Sequence, residues 1–210
     1  GSSSGGAGGS APANTARWST QPIDTAWMNS MDADLAIKAR SITQDQWKLS
    51  NANLSFNLNG GTLELRDVSA GMFGGTAQMN GKIKSAPLSV DFTMKADKVD
   101  AQKLHSALTG APADKVSGTI STFNLNVASA GASPSALVNA LSGKGDMTGK
   151  GIVIKGIDAA QLAETAKGSF KPLERAGSLY NTFQGGQTEF DTMDLAFGIQ
   201  NGVVNFTTLK

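Results

Sequence analysis

The chain has 210 residues, enough for one large domain or two small ones, and its 18 Lys and Arg residues nearly balance 17 Asp and Glu residues. This balance excludes a generic nucleic-acid-binding protein, which needs a clustered excess of basic residues. With no cysteine and one histidine, the sequence excludes a disulfide scaffold, a thiolate metal site, a cysteine nucleophile and a multi-histidine metal centre.

The first 17 residues are almost all Gly, Ser, Ala and Pro. Such a segment cannot bury enough apolar surface to offset the entropy lost on ordering. We therefore predict a flexible linker over 1–17 and a single β-rich domain over 18–210. The start of the chain lacks the charged and apolar segments of a signal peptide, and its end reads as part of a strand. We expect the chain to be a fragment of a longer protein.

Apolar and polar residues alternate along most of the chain, which is the pattern of a strand with one buried face. Such alternation covers 31–40, 52–58, 63–65, 77–83, 88–96, 123–127, 152–154, 195–199 and 204–206. Asn59-Gly60-Gly61 and Asn201-Gly202 lie between alternating runs and predict two tight hairpins. The pattern predicts a mainly β fold (β-rich α+β), with a curved antiparallel sheet or β-groove built of hairpin repeats.

Three or four short helices are predicted between the strands, over 100–109, 134–142, 158–166 and 172–183. In the first, Asp100 is the expected N-cap, and Leu104 and Leu108 share the apolar face. The second begins at Ser133-Pro134 and is expected to end at Gly143.

Residues 48–65 and 189–206 share one apolar pattern without a gap. Both copies contain a three-residue step between apolar positions, from Leu49 to Ala52 and from Phe190 to Met193, where strict alternation needs two or four. The recurrence of this step predicts a bulge or a corner of the sheet. The match predicts a structural repeat that extends one apolar face.

No group of side chains in the sequence predicts catalysis. Gly143-Lys144-Gly145 and Gly149-Lys150-Gly151 lack the spacing of a phosphate-binding P-loop, and we predict that both are β-turns. His105 has no second histidine as a partner for a metal, and we expect it to face solvent. No serine lies in a nucleophile elbow. We therefore predict no enzymatic activity, no catalytic residue, no metal and no cofactor.

A series of short motifs follows one order along nearly the whole chain. They are Trp18-Ser19 with Pro22-Ile23-Asp24, Asp32-Ala33-Asp34-Leu35, the hairpin at 59–65, Phe73-Gly74-Gly75, Val99-Asp100-Ala101, the segment 141–145, Lys155-Gly156-Ile157-Asp158 and Thr188-Glu189-Phe190-Asp191. In this order they resemble the C-terminal AsmA-like region of the bacterial AsmA family. The resemblance implies that the family's membrane anchor and its first third lie outside this chain.

The resemblance implies a periplasmic envelope protein of a Gram-negative bacterium, tethered to the inner membrane and connected with outer-membrane biogenesis. Longer relatives look like bridge-like lipid-transfer proteins, whose elongated sheet encloses an apolar groove. The implied function is to hold or guide phospholipid acyl chains between the inner and outer membranes. The alternative is a structural or assembly factor that docks envelope proteins through an open sheet edge.

The candidate lipid-binding residues are the inward-facing apolar residues of the predicted strands. They are Leu35, Ile37, Leu54, Phe56, Leu58, Leu63, Leu65, Val90, Phe92, Met94, Phe123, Leu125, Leu195, Phe197, Ile199, Val204 and Phe206. If the helices cover the whole face, these residues form an ordinary core. If the helices cover only part of it, the remainder is an exposed apolar surface of the kind that binds ligands.

Overall fold

The structure is a computed structural model that describes residues 18–110, 115–156, 169–170 and 186–209. These residues form one antiparallel sheet of ten strands, two α-helices and one short 3-10 helix. The strands are β1 (Ala33–Gln44), β2 (Trp47–Asn59), β3 (Thr62–Met72), β4 (Gly75–Ser85), β5 (Leu88–Asp100), β6 (Val116–Ala130), β7 (Ser142–Lys155), β8 (Ser169–Phe170), β9 (Gln187–Gln200) and β10 (Val203–Leu209). The helices are the 3-10 helix (Ala26–Asn29), α1 (Ala101–Thr109) and α2 (Pro134–Asn139). The predicted mainly β, antiparallel fold is confirmed.

Three predictions fall on segments for which the structure gives no description. The linker at 1–17 and the helices at 158–166 and 172–183 all lie outside the described residues. The two helices predicted at 100–109 and 134–142 correspond to α1 and α2.

The strands follow one another across the sheet in nearly their chain order, β1-β2-β3-β4-β5-β6-β7-β9-β10-β8. The connections therefore alternate between two ends of the sheet, which we call the α1 end and the α2 end. Both predicted hairpins turn at the α2 end. Their central residues are left-handed, with φ of +51° and +73° at Gly60 and Gly61, and +52° and +71° at Asn201 and Gly202. Two successive positive φ values match the twist of the flanking strands and favour glycine and asparagine.

Both helices begin at the predicted N-caps. The Asp100 carboxylate accepts a hydrogen bond from the backbone N–H of Lys103 at 3.0 Å, and the Ser133 hydroxyl oxygen accepts one from that of Ala136 at 3.2 Å. Each cap satisfies a backbone donor that the first helical turn leaves unpaired. The predicted end of α2 is wrong, because the helix stops at Asn139 and Gly143 lies within β7.

The predicted apolar face of α1 is also partly wrong. Ala101 and Ala107 are buried and Leu104 packs against the core, whereas Leu108 is 66% exposed. The small alanine side chains allow this face of the helix to lie close to its neighbours. His105, expected in solvent, is half-buried, and burial lowers its pKa from the ordinary 6.5.

The two Gly-Lys-Gly motifs, predicted as β-turns, lie within the long strand β7. Glycine is needed there because neighbouring side chains occupy the space of a Cβ atom. A Cβ on Gly145 would lie 2.5 Å from Cζ of Phe197, and one on Gly149 would lie 2.6 Å from Cγ1 of Ile152. A strand glycine covered by a neighbouring side chain is a known packing solution in sheets.

The three-residue step predicted in two strands coincides with register shifts and positive φ values in neighbouring strands, and we call this part of the sheet the corner. In β2 it coincides with a register shift against β3, and Asn51 has a φ of +48°. β9 pairs with β7 without a register shift, so β9 itself has no bulge at this step. The register shift lies between β6 and β7, and Gly151 of β7 has a φ of +59°. The same step separates Ala96 from Val99 and Ile120 from Phe123, and all four contact one hydrophobic cluster. Apolar residues three apart therefore both reach the core at this corner.

This cluster lies at the α1 end and is the main described core. Its buried members are Ala96, Val99, Ala101, Ile120, Ile152 and Met193. It joins β5, β6, β7, β9 and the start of α1, so the corner of the sheet and the helix are stabilised together.

We expect Gly149→Ala to lower the free energy of unfolding by about 1–2 kcal/mol, because its new methyl group would overlap the Ile152 side chain. In an Ile152→Ala background the overlapping Cγ1 atom is gone, so the same substitution should cost almost nothing. A double-mutant cycle measured by urea unfolding tests this coupling. Equal costs of Gly149→Ala in both backgrounds would contradict the arrangement.

Candidate functional site

One face of the sheet is apolar across all the long strands. In an antiparallel sheet, directly paired residues point to the same face. One row of such pairs contains Leu35, Phe56, Leu65, Gly81, Phe92, Val127, Gly143, Ile199 and Val204. The next row contains Ile37, Leu54, Val68, Met79, Met94, Leu125, Gly145, Phe197 and Phe206. We call these the two central rows. Neither contains a charged residue.

All the predicted lining residues lie on this apolar face. Those outside the central rows flank them. Leu58, Leu63 and Val90 lie towards the α2 end, and Phe123 and Leu195 lie towards the α1 end. The period-two pattern therefore placed these side chains on one surface correctly.

The apolar face is not sealed like a core. Of the lining residues only Leu58 and Val204 are buried, at 3% and 7% exposure. Leu35 and Ile37 on β1 are exposed at 42% and 41%, and the others are half-buried. No large side chain in the described residues is less than 2% exposed. This distribution is typical of an open apolar surface rather than of a close-packed interior.

The start of the described chain closes the α2 end of the face. The backbone N–H of Ser135 donates to the carbonyl of Ser19 at 3.0 Å, and that of Ile23 donates to the carbonyl of Ala132 at 2.8 Å. Further along, the Thr25 hydroxyl donates to the carbonyl of Ser85 at 3.1 Å. Residues 18–30 thus run from α2 to the β4–β5 turn. Met28, at 2% exposure, anchors them.

Helix α1 closes the opposite end through the hydrophobic cluster. Its closest elements are β5 and β6, and α2 likewise packs on β6. The helices therefore lie at the two strand ends, and within the described ranges no helix packs over the central rows. The result is an apolar surface that runs across the strands and is bounded along both sides.

The opposite face of the sheet is polar and carries side-chain pairs between strands. Lys82 Nζ lies 2.7 Å from a Glu64 carboxylate oxygen, and this hydrogen bond, with a second from Arg66, lowers the pKa of Glu64. The Asn124 amide donates to Asp146 at 2.8 Å on the same face. Because charged and amide groups line this side, it faces water, and the apolar side is the candidate site.

Sequence reasoning missed several members of the apolar face, of which Val68, Met79, Ile83 and Val127 are examples. Val68 was hidden because β3 has an extra residue near Arg66, which shifts the register between Leu65 and Val68. The alternation of apolar residues in β4 indicates that Met79 and Ile83 also belong to the apolar face, and they pair with Met94 and Val90.

The edge strand β1 is a second feature of functional interest. It has 12 residues and pairs with β2 on one side, and no described strand pairs with its other side. Leu35, Ile37 and Ile42 are all exposed on it. A long edge with exposed apolar side chains can accept a further strand.

Among the described residues there is no group of three or more His, Asp or Glu side chains that could hold a metal ion. Within the same ranges no helix is long and apolar enough to cross a membrane.

Comparison with known proteins gives one match. The family model of the AsmA family matches residues 6–209, which is nearly the whole chain. Neither the curated proteins nor the solved structures contain a significant match. Because the family model spans almost every residue, the chain belongs to the AsmA family.

Proposed function

We propose that the apolar face holds phospholipid acyl chains and guides them between the inner and outer membranes, as a non-enzymatic part of a longer periplasmic protein tethered to the inner membrane. One observation carries the proposal. The two central rows form an uncharged apolar surface that the described helices leave open. Membership of the AsmA family, which is connected with the envelope, supports the same assignment.

The chemistry of the rows suits an acyl chain that moves. Apart from three glycines, the side chains of the rows are aliphatic, thioether or phenyl groups, which stabilise each methylene group by about 0.8 kcal/mol through burial alone. This attraction has no preferred direction, so it does not fix the chain at one position. The rows run across the strands, and a chain bound along them would pass from β1 towards β10.

The test is native mass spectrometry with lipid extraction on the 210-residue protein, purified after expression in a bacterial periplasm. We expect phospholipid to copurify with the unaltered protein. Phe56→Asp and Phe197→Asp place a carboxylate on the central rows, and each should reduce the bound lipid by about tenfold, because a charge against acyl chains is costly.

The matched control is Thr93→Asp. Thr93 lies on the polar face of β5, where its hydroxyl donates to Asn126 at 2.8 Å, so its replacement should leave the bound lipid unchanged. Urea unfolding checks that each variant is folded. If the aspartate variants unfold, Phe56→Gln and Phe197→Gln provide a milder polar change at the same positions. Retention of lipid by folded variants at both positions would contradict the proposal.

The second candidate function is docking of an envelope protein at the open edge of β1. The observation in its favour is the unpaired side of this strand among the described residues, with its exposed apolar side chains. Such an edge adds a strand from a partner by backbone hydrogen bonds. A folded wild-type protein that carries no lipid would favour this function over lipid transfer.

A further inference from the structure

A cavity of about 1000 Å³ lies at the α1 end, between the ends of β2 and β3 and helix α1. Phe73 forms part of its wall, and its ring also packs on the hydrophobic cluster and lies 5.3 Å from the ring of Trp47. The cavity therefore shares a wall with the closed end of the apolar face. Neither lipid binding on the central rows nor docking at the β1 edge uses this cavity.

The lining of this cavity differs from that of the central rows, because it includes charged and amide side chains beside apolar ones. Lys48, Gln46, Gln102 and Lys103 all contribute, and among the lining residues that the structure describes there is no Asp or Glu. The cavity thus combines two cations with several hydrogen-bond donors. That combination favours a polyvalent anion.

Neither of the two lysines forms a strong ion pair with a described residue. Lys103 Nζ lies 3.6 Å from the Asp100 carboxylate, but the Lys103 side chain is 62% exposed, so this contact contributes little and is easily exchanged. Lys48 forms no ion pair with any described residue.

Helix α1 is held against the β1–β2 turn at this cavity. The Gln46 amide nitrogen donates to the carbonyl of Ala107 at 3.1 Å. Lys48 on β2 and Lys103 on α1 therefore belong to elements whose backbones are tied together beside one cavity.

We propose that this cavity binds a phosphate group, with Lys48 and Lys103 as its cationic contacts. The assignment of that phosphate to a lipid rests on the proposed function. Under that function, the phosphate belongs to the headgroup of a phospholipid whose acyl chains lie on the apolar face. The cavity with its two lysines would hold the charged part of the lipid, which the uncharged central rows cannot accommodate.

The experiment compares three probes on the 210-residue protein: a short-chain phosphatidylglycerol below its micelle concentration, a diacylglycerol with the same acyl chains, and inorganic phosphate. The variant is Lys48→Gln with Lys103→Gln. We expect it to weaken phosphatidylglycerol binding by about five- to tenfold, from the loss of two exposed charge contacts, and to leave diacylglycerol binding unchanged.

The control is Lys95→Gln with Lys144→Gln, which removes the same charge from exposed positions on the polar face. It should leave binding of all three probes unchanged. If both lipids bind equally and the cavity variant binds them like the wild type, the headgroup site is wrong while the proposed function stands. If neither lipid binds the wild-type protein, the proposed function fails. Phosphorus NMR with inorganic phosphate then tests whether the cavity binds free phosphate. A change of the phosphate signal that the wild-type protein causes and the Lys48/Lys103 variant does not supports a site for free phosphate. No change of the signal with the wild-type protein overturns the site.

Discussion

Gly118→Ala is expected to lower the free energy of unfolding by about 3–5 kcal/mol. Gly118 lies in β6 with a φ of +107°, a conformation that side chains with a Cβ atom rarely adopt. Its missing Cβ would also lie 2.3 Å from the backbone oxygen of Gly151 and 2.8 Å from Cα of Ile152. Because both obstacles are backbone atoms of the adjacent strand, no change of rotamer can relieve the overlap. β6 and β7 must separate at the corner of the sheet.

Two other glycines provide a graded control for this prediction. Gly151 has a positive φ but no atom near its missing Cβ, so Gly151→Ala should cost about 1 kcal/mol from backbone strain alone. Gly198 has neither a positive φ nor a close neighbour, and Gly198→Ala should be neutral or stabilise by about 0.5 kcal/mol. Urea unfolding of the three variants measures the order of their free energies of unfolding. A Gly118→Ala protein as stable as Gly198→Ala would show that the strands approach less closely than described.

Met28→Ala is expected to lower the free energy of unfolding by about 3 kcal/mol. Met28 is the most deeply buried hydrophobic residue described, at 2% exposure, and it belongs to the 3-10 helix against the ends of β2, β3 and β4. Its loss leaves a cavity where residues 18–30 close the α2 end. Hydrogen exchange should then become faster at Ile23 and Ser135, whose backbone N–H groups bond to Ala132 and Ser19.

The neighbouring Trp27 is the control for this prediction. It lies on the same helix but is 52% exposed, so Trp27→Ala should cost less than about 1 kcal/mol although it removes a larger side chain. If Met28→Ala were no more destabilising than Trp27→Ala, residues 18–30 would not be a stabilising part of the fold.

The sequence predicted those features that depend on local chemistry. Alternation placed Leu54, Phe56 and Phe197 on the apolar face, because the period of a strand fixes the side to which each residue points. The helix caps at Asp100 and Ser133 were also predictable, since a side chain that caps a helix acts within three residues of its own position.

The predictions that failed depended on partners distant in the chain. From the sequence we predict a turn at Gly145, but in the structure the side chain of Phe197, which is distant in the chain, covers this glycine within a strand. In the sequence Leu108 follows Leu104 at helical spacing, but the helix buries Ala101 and Ala107 and leaves Leu108 exposed. Likewise, the cavity beside α1 is formed by three separate segments of the chain, 46–50, 71–75 and 102–110, and no local pattern brings them together.

The order of the strands has a consequence for how the protein folds. From β1 to β7, every strand pairs with its neighbour in the chain, so each step of sheet formation closes only a short loop. Topologies with such local contacts have a low contact order, which favours rapid folding for a β protein of this size. The sheet can therefore assemble progressively from its first strands as the chain is synthesised, in the manner of a repeat protein whose units are stabilised by their immediate neighbours.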